Sequence, residues 1–131
     1  VRNYLYLFVL LFCFNVAHAE IWLVTDSKHQ FKNVPADARL ILLDEPEQIQ
    51  SKLNHGLPGY STNAAAIVKQ RLNQPNFHNT LRQALQNVVD AYSYQVTKIP
   101  AIVVDKKYIV YGETDVQKAI ADINTYRSTH D

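Results

Sequence analysis

Asp26, Ser27 and His29 stand together just after an apolar, β-forming run, Glu20 to Thr25. A carboxylate, a hydroxyl and an imidazole are the groups of acid–base catalysis, nucleophilic hydrolysis and metal ligation. Each of these chemistries asks for more than the three residues supply. A zinc site needs three or four ligands, and His55, His78 and His130 fall without motif spacing. A Ser27 nucleophile has no evident third group to orient its base. The sequence contains neither a Gly-rich phosphate loop nor a Gly-x-Ser-x-Gly elbow. Loop polarity accounts for Asp26, Ser27 and His29 at least as well as catalysis does. No cofactor and no metal are expected.

Sulfur chemistry is bounded more sharply. Cys13 is the only cysteine of the 131 residues. It sits in the apolar run Tyr4 to Phe14, which follows Arg2 and is closed by Ala17-His18-Ala19. A basic start, a short apolar stretch and a small-x-small close are the parts of a secretory signal peptide. The run is too short for a transmembrane helix, which needs about 20 apolar residues. The expectation is therefore a signal peptide over residues 1–19, cleaved after Ala19, and one domain over 20–131 that leaves the membrane on cleavage. That domain would be formally neutral and free of thiols, with no capacity for disulfides, thiol exchange or thiolate ligation.

Composition agrees with a single globular unit: 47% of residues are hydrophobic, and 13 Lys and Arg stand against 12 Asp and Glu. So even a balance argues against a nucleic-acid partner held by phosphate neutralisation.

The elements that would position these residues can be read from periodicity and turn signals. Glu20–Thr25 and Ala38–Asp44 read as strands, the second apolar enough to be covered on both faces. Between them, residues 26–37 show no helical period. Asp44-Glu-Pro-Glu47 opens a helix, with Asp44 accepting from first-turn amides in a capping-box-like pattern, and Gly56 closes it. Ser61 or Thr62 caps the next helix. A longer one follows from Asn76, its apolar face running Phe77, Leu81, Leu85, Val88 and Tyr92. Residues 45–95 thus form a helical insert. Ile99–Asp105 and Tyr108–Gly112 make a β-hairpin buried on both faces, joined by a polar turn at Lys106-Lys107. A capping box, Thr114-Asp-Val-Gln117, begins the last helix. The order predicts an α/β domain with a mixed sheet.

The stretch Val96-Thr-Lys-Ile-Pro100 through Gly112, followed by a capped helix, resembles the C-terminal half of the thioredoxin fold. In that family an X-Pro pair with a cis bond opens the third strand, and the resemblance assigns this place to Ile99-Pro100. Over nearly all of residues 20–127 the chain looks more closely like a subgroup of thioredoxin-like proteins, the small exported proteins encoded in integrating conjugative elements. Val24-Thr-Asp26, Val34-Pro-Ala-Asp-Ala-Arg39, Gly56-Leu-Pro58, Gln70-Arg-Leu72, Val96 to Ala101 and Val110 to Val116 carry that likeness. It implies a periplasmic place and a role beside a conjugative transfer apparatus, with no known reaction. The departures are informative. Thioredoxin chemistry needs Cys-x-x-Cys at a helix start after the first strand. Here that region reads Thr25-Asp-Ser-Lys-His-Gln30, and the catalytic helix is expected to be shortened or absent.

The leading expectation is accordingly a non-catalytic, periplasmic thioredoxin-like protein that binds another protein of the transfer system. Its site would be a groove beside Ile99-Pro100, bordered by Thr25, Asp26 and Lys98, with Tyr108 and Tyr111 flanking the hairpin as a binding pair. A structural subunit that self-associates through the helical insert is the second reading, and a small hydrolase or metal enzyme at Asp26, Ser27 and His29 the third.

Overall fold

A computed structural model of the chain describes residues 18–59 and 62–130. The signal-peptide reading falls almost wholly outside them, as do Cys13, Ser61 and the side chain of Thr62. The elements are β1 (Ile21–Thr25), β2 (Arg39–Leu42), α1 (Glu45–Asn54), α2 (Thr62–Leu72), α3 (Phe77–Ser93), β3 (Ala101–Val104), β4 (Tyr108–Tyr111) and α4 (Val116–His130). The sheet order is β2-β1-β3-β4. β1 and β2 are parallel, while β3 is antiparallel to both β1 and β4. This is the mixed α/β sheet of a thioredoxin-like fold. The Ile99-Pro100 bond is cis.

Alternation along the two central strands makes two cores. Ile21, Leu23, Ile102 and Val104 point to one face, where Val116, Ala119 and Ile123 of α4 cover them. Trp22, Val24, Ala101 and Val103 point to the other, where they meet Ile41 of β2, Ala91 of α3 and Val96. Burial on both faces explains why β1 and β3 are continuous apolar runs. The same expectation fails for β2 and β4. Both are edge strands, so half of each stays open: Leu40 is 52% exposed, and β4 has no fully buried residue.

A parallel pair needs a crossover of a dozen or more residues, usually through a helix. Residues 26–38 supply it as a loop without a helix, in line with the missing Cys-x-x-Cys scaffold. The loop is tied down instead by backbone bonds to the start of the last helix. The amide of Lys32 donates to the Thr114 carbonyl (2.8 Å), and that of Val116 to the Lys32 carbonyl (3.1 Å). Phe31 adds its ring to the α4-side core.

Two helix ends and one helix face differ from the sequence expectation. Asp44 precedes α1 but makes no side-chain cap; its carboxylate accepts from Ser27 and Gln48 instead. At α4 the cap is Asp115, one residue after Thr114. Its carboxylate takes the amides of Gln117 (3.1 Å) and Lys118 (3.3 Å), and the Asp115 amide donates to the Glu113 carboxylate (2.9 Å). At α3, Ala84, Asn87 and Ala91 are the buried residues, so the helix is rotated away from the face predicted for it. Leu85 and Tyr92, expected inside, are 50% and 67% exposed. Two alanines let the helix approach the sheet closely, and Asn87 is held there by Arg39 (2.7 Å).

The far end of α3 is a Schellman motif. Gln95 is left-handed (φ 56), its amide donates to the Tyr92 carbonyl (2.9 Å), and the Val96 amide donates to that of Ala91 (3.3 Å). Glycine adopts this backbone without the Cβ penalty of roughly 1 kcal/mol. Gln95→Gly is expected to raise the unfolding free energy by about 0.5–1 kcal/mol, read by urea denaturation. A loss of stability would show that the Gln95 side chain matters more than its backbone.

Candidate functional site

The site expected at the start of the hairpin is built on register. Val24 is opposite Ala101, and Ala101 opposite Tyr111, so Thr25, Pro100 and Gly112 meet at one end of the sheet. The Gly112 amide donates to the Pro100 carbonyl (2.9 Å), which anchors the corner to β4. Before it, Ile99 is 37% exposed and Lys98 is exposed. Among the described residues neither the N–H nor the C=O of Ile99 has a hydrogen-bond partner. An apolar side chain therefore stands in the open beside unpaired backbone at the bend that leads into β3.

Tyr111 borders this corner and holds its approach in place. Its hydroxyl donates to the Gln95 carbonyl (3.3 Å) and accepts from the Thr97 amide (3.4 Å), pinning residues 95–97 to β4. Tyr111 as a whole remains 41% exposed.

Other members of the expected groove are placed differently. Thr25 is fully buried, and its hydroxyl donates to the His29 carbonyl (3.2 Å), so it supports the loop rather than lining a surface. The Asp26 carboxylate turns back into its own loop, accepting from the amides of Lys28 (3.1 Å) and His29 (3.0 Å). Tyr108 lies at the opposite end of β4, across from Val104. There it meets Tyr126 edge-on (6.2 Å) beneath the Arg127 guanidinium (4.6 Å). Sequence adjacency suggested a pair, but three residues of extended strand separate the two tyrosines by about 10 Å. Hollows of about 500 and 550 Å³, one between α1 and α3 and one between β4 and α4, are lined by neither Ile99 nor Pro100.

The chemistry imagined for Asp26, Ser27 and His29 is divided by geometry. His29 Nδ1 meets the Asp26 carboxylate at 2.6 Å. The Ser27 hydroxyl and amide both donate to Asp44, seventeen positions on. Hydroxyl and imidazole thus serve different carboxylates, which is not the nucleophile–base contact a hydrolase requires. Among the described residues no three His, Cys, Asp or Glu side chains are arranged to hold a metal ion. Likewise no described helix is long and apolar enough to cross a membrane. Asp44 was not legible as part of this loop, because only the parallel pairing of β1 with β2 brings it beside Ser27.

Residues 18–129 match the family DUF1525, described as "Protein of unknown function". The chain belongs to the DUF1525 family. No curated protein and no solved structure matches it. No catalytic family is among the matches, so what this DUF1525 protein does has to be argued from its own surface. Its ionised loop gives one measurable signature. The hydrogen bond from His29 holds the Asp26 carboxyl below the ordinary aspartate range; desolvation opposes it, and the Lys28 amide adds to the lowering. A depressed carboxyl favours the folded state above its unfolded pKa, and that contribution is lost as pH falls through the folded value. NMR titration is expected to show Asp26 titrating low in the wild type and closer to the ordinary value in His29→Ala. Equal titration in both would assign the depression to the backbone amides alone.

Proposed function

We propose that the chain is a non-catalytic, periplasmic thioredoxin-like protein that binds another protein component of a conjugative DNA-transfer apparatus, through the corner at Lys98, Ile99 and Pro100. The observation that carries this reading is Ile99: an exposed apolar side chain whose own backbone donor and acceptor are unpaired. An extended segment of a partner satisfies such groups by adding strand-like hydrogen bonds, while Ile99 and the Tyr111 ring supply apolar contact. The transfer apparatus and the periplasmic location rest on the family resemblance drawn from the sequence and on the export signal. The division of Ser27 from His29 and the absence of thiols from residues 20–131 support binding over turnover.

The test is site-specific photo-crosslinking in donor cells. A crosslinking residue at position 99 is expected to capture a protein encoded by the same transfer element, whereas one at Gln50, exposed on α1, captures none. Ile99→Lys is expected to lower transfer frequency at least about tenfold, the equivalent of roughly 1.4 kcal/mol at a contact, with an unchanged circular dichroism spectrum. Wild-type transfer by a folded Ile99→Lys variant would overturn the reading.

A further inference from the structure

We propose that the hollow between α1, the end of α2 and the start of α3 binds a small amphiphilic carboxylate, an apolar body carrying one anionic head. This site is separate from the Ile99 corner and stands whether or not that corner binds a partner. Local chain chemistry opens it. Pro75 cannot continue α2, and Asn76 is left-handed (φ 68), so the chain turns there before α3 begins. Arg71, near the end of α2, ties this joint to the end of α1: its Nη1 donates to the carbonyls of Leu53 (2.7 Å) and His55 (2.8 Å). The space left measures about 500 Å³, within the size range of small-molecule sites.

The lining selects the ligand. Ile49, Leu53 and Phe77, all half-buried, supply apolar surface, while Lys52, Arg71 and the imidazole of His55 supply donors; no carboxylate lines the hollow. Basic and acidic residues are nearly equal in number over the whole chain, so this segregation is local. The hollow between β4 and α4 includes Asp122, and the one beside the 26–29 loop includes Asp26, Asp44 and Glu47. Lys52 borders that acidic hollow too, yet among the described residues neither it nor Arg71 forms an ion pair. The carbonyl end of α1 offsets only roughly half a charge, against two full positive charges. A guanidinium held by the backbone is already in place to receive a carboxylate. A bare phosphate would leave Ile49, Leu53 and Phe77 wet, and a neutral or cationic amphiphile would leave Lys52 and Arg71 without a counter-charge.

NMR titration of the assigned, isotope-labelled protein with dodecanoate is expected to give a Kd on the order of 100 µM, with shifts centred on residues 49–55 and 71–80. Dodecylammonium, the same chain with the opposite charge, and inorganic phosphate, the charge without the chain, are each expected to bind at least tenfold more weakly. Lys52→Glu changes an exposed side chain and is expected to weaken dodecanoate at least tenfold. Lys69→Glu, equally exposed on α2 but outside the hollow, changes the net charge identically and leaves binding as it was. Equal losses in the two variants would make the effect one of overall charge and overturn the proposal. Binding of dodecylammonium or phosphate as tight as dodecanoate also overturns it. So do shifts centred on the exposed Leu85, Val89 and Tyr92, which would place the chain on an open surface instead.

Discussion

Ile102→Ala is expected to lower the unfolding free energy by about 3–4 kcal/mol, measured by urea or thermal denaturation. Ile102 has no exposed surface and sits on β3, opposite Leu23 of β1 and Val110 of β4, with the α4 side chains above it. Strands hydrogen-bonded on either side hold the backbone apart, so the space left by the missing side chain cannot collapse, and the cavity adds to the lost transfer free energy. Against a total stability of about 5–15 kcal/mol for a domain of this kind, the loss is large. Leu40→Ala removes a comparable side chain from the half-open edge strand β2 and is expected to cost less than about 1 kcal/mol. Similar losses at both positions would mean that the α4-side core does not dominate the fold.

The second large effect is expected at Arg39. One of its guanidinium nitrogens donates to both Asn87 (2.7 Å) and Asp90 (2.6 Å), and the group lies over the Trp22 ring at 4.7 Å. Arg39→Ala leaves the buried Asn87 oxygen with only a bond from Gln83 (3.2 Å) and uncovers Trp22. A charged hydrogen bond at a partly buried site and a lost cation–π contact together place the cost at about 2 kcal/mol. Arg39→Lys keeps the charge but does not lie flat on Trp22, so it recovers only part of this. The pH dependence has a definite sign. Hydrogen bonds from Gln86 and then Arg39 hold the Asp90 carboxyl below its ordinary range. That stabilisation is present at neutral pH and lost as pH falls through the folded value. Arg39→Ala should therefore lose stability at pH 7 and show a smaller further loss on acidification than the wild type. Parallel pH profiles would exclude the Arg39–Asp90 pair as the cause.

Arg39 also shows where one-dimensional reading stops. The apolar face expected for α3 took the largest side chains as the inward ones, joining Leu85 and Tyr92 to Phe77, Leu81 and Val88. Hydrophobic spacing permits either seam, since both recur at four and three. The choice falls to contacts outside the helix: small Ala84 and Ala91 fit against β2 and Val96, and Arg39, far away in sequence, fixes Asn87 beside them. The same limit applied at the ends of helices. Asp44 and Thr114 are in good capping positions, yet Ser27 draws Asp44 across the β1–β2 pair, and the 113–116 segment shifts the second cap to Asp115.

Around the candidate site, the Ile99-Pro100 entry to a strand, the hairpin behind it and the helix-free crossover before β2 were legible, because each depends on local chain chemistry: proline, turn residues and the lack of apolar period. Partition into a surface was not. Thr25 is as close to the corner as expected but is buried, and Tyr108 is separated from Tyr111 by the length of a strand that cannot bend to bring both to one end.

The amino-acid sequence by itself determined a mixed α/β chain, a first hairpin strand buried on both faces, and a lone thiol confined to the expected signal peptide. These follow from composition and short-range periodicity, which act through residues near one another in the chain. Only the tertiary structure decided which strands became edges, which seam of α3 faced solvent, and that Ser27 and His29 serve separate carboxylates. Those outcomes depend on pairing and close packing between distant segments, where a few ångströms of approach settle which polar group finds a partner and which apolar one stays exposed.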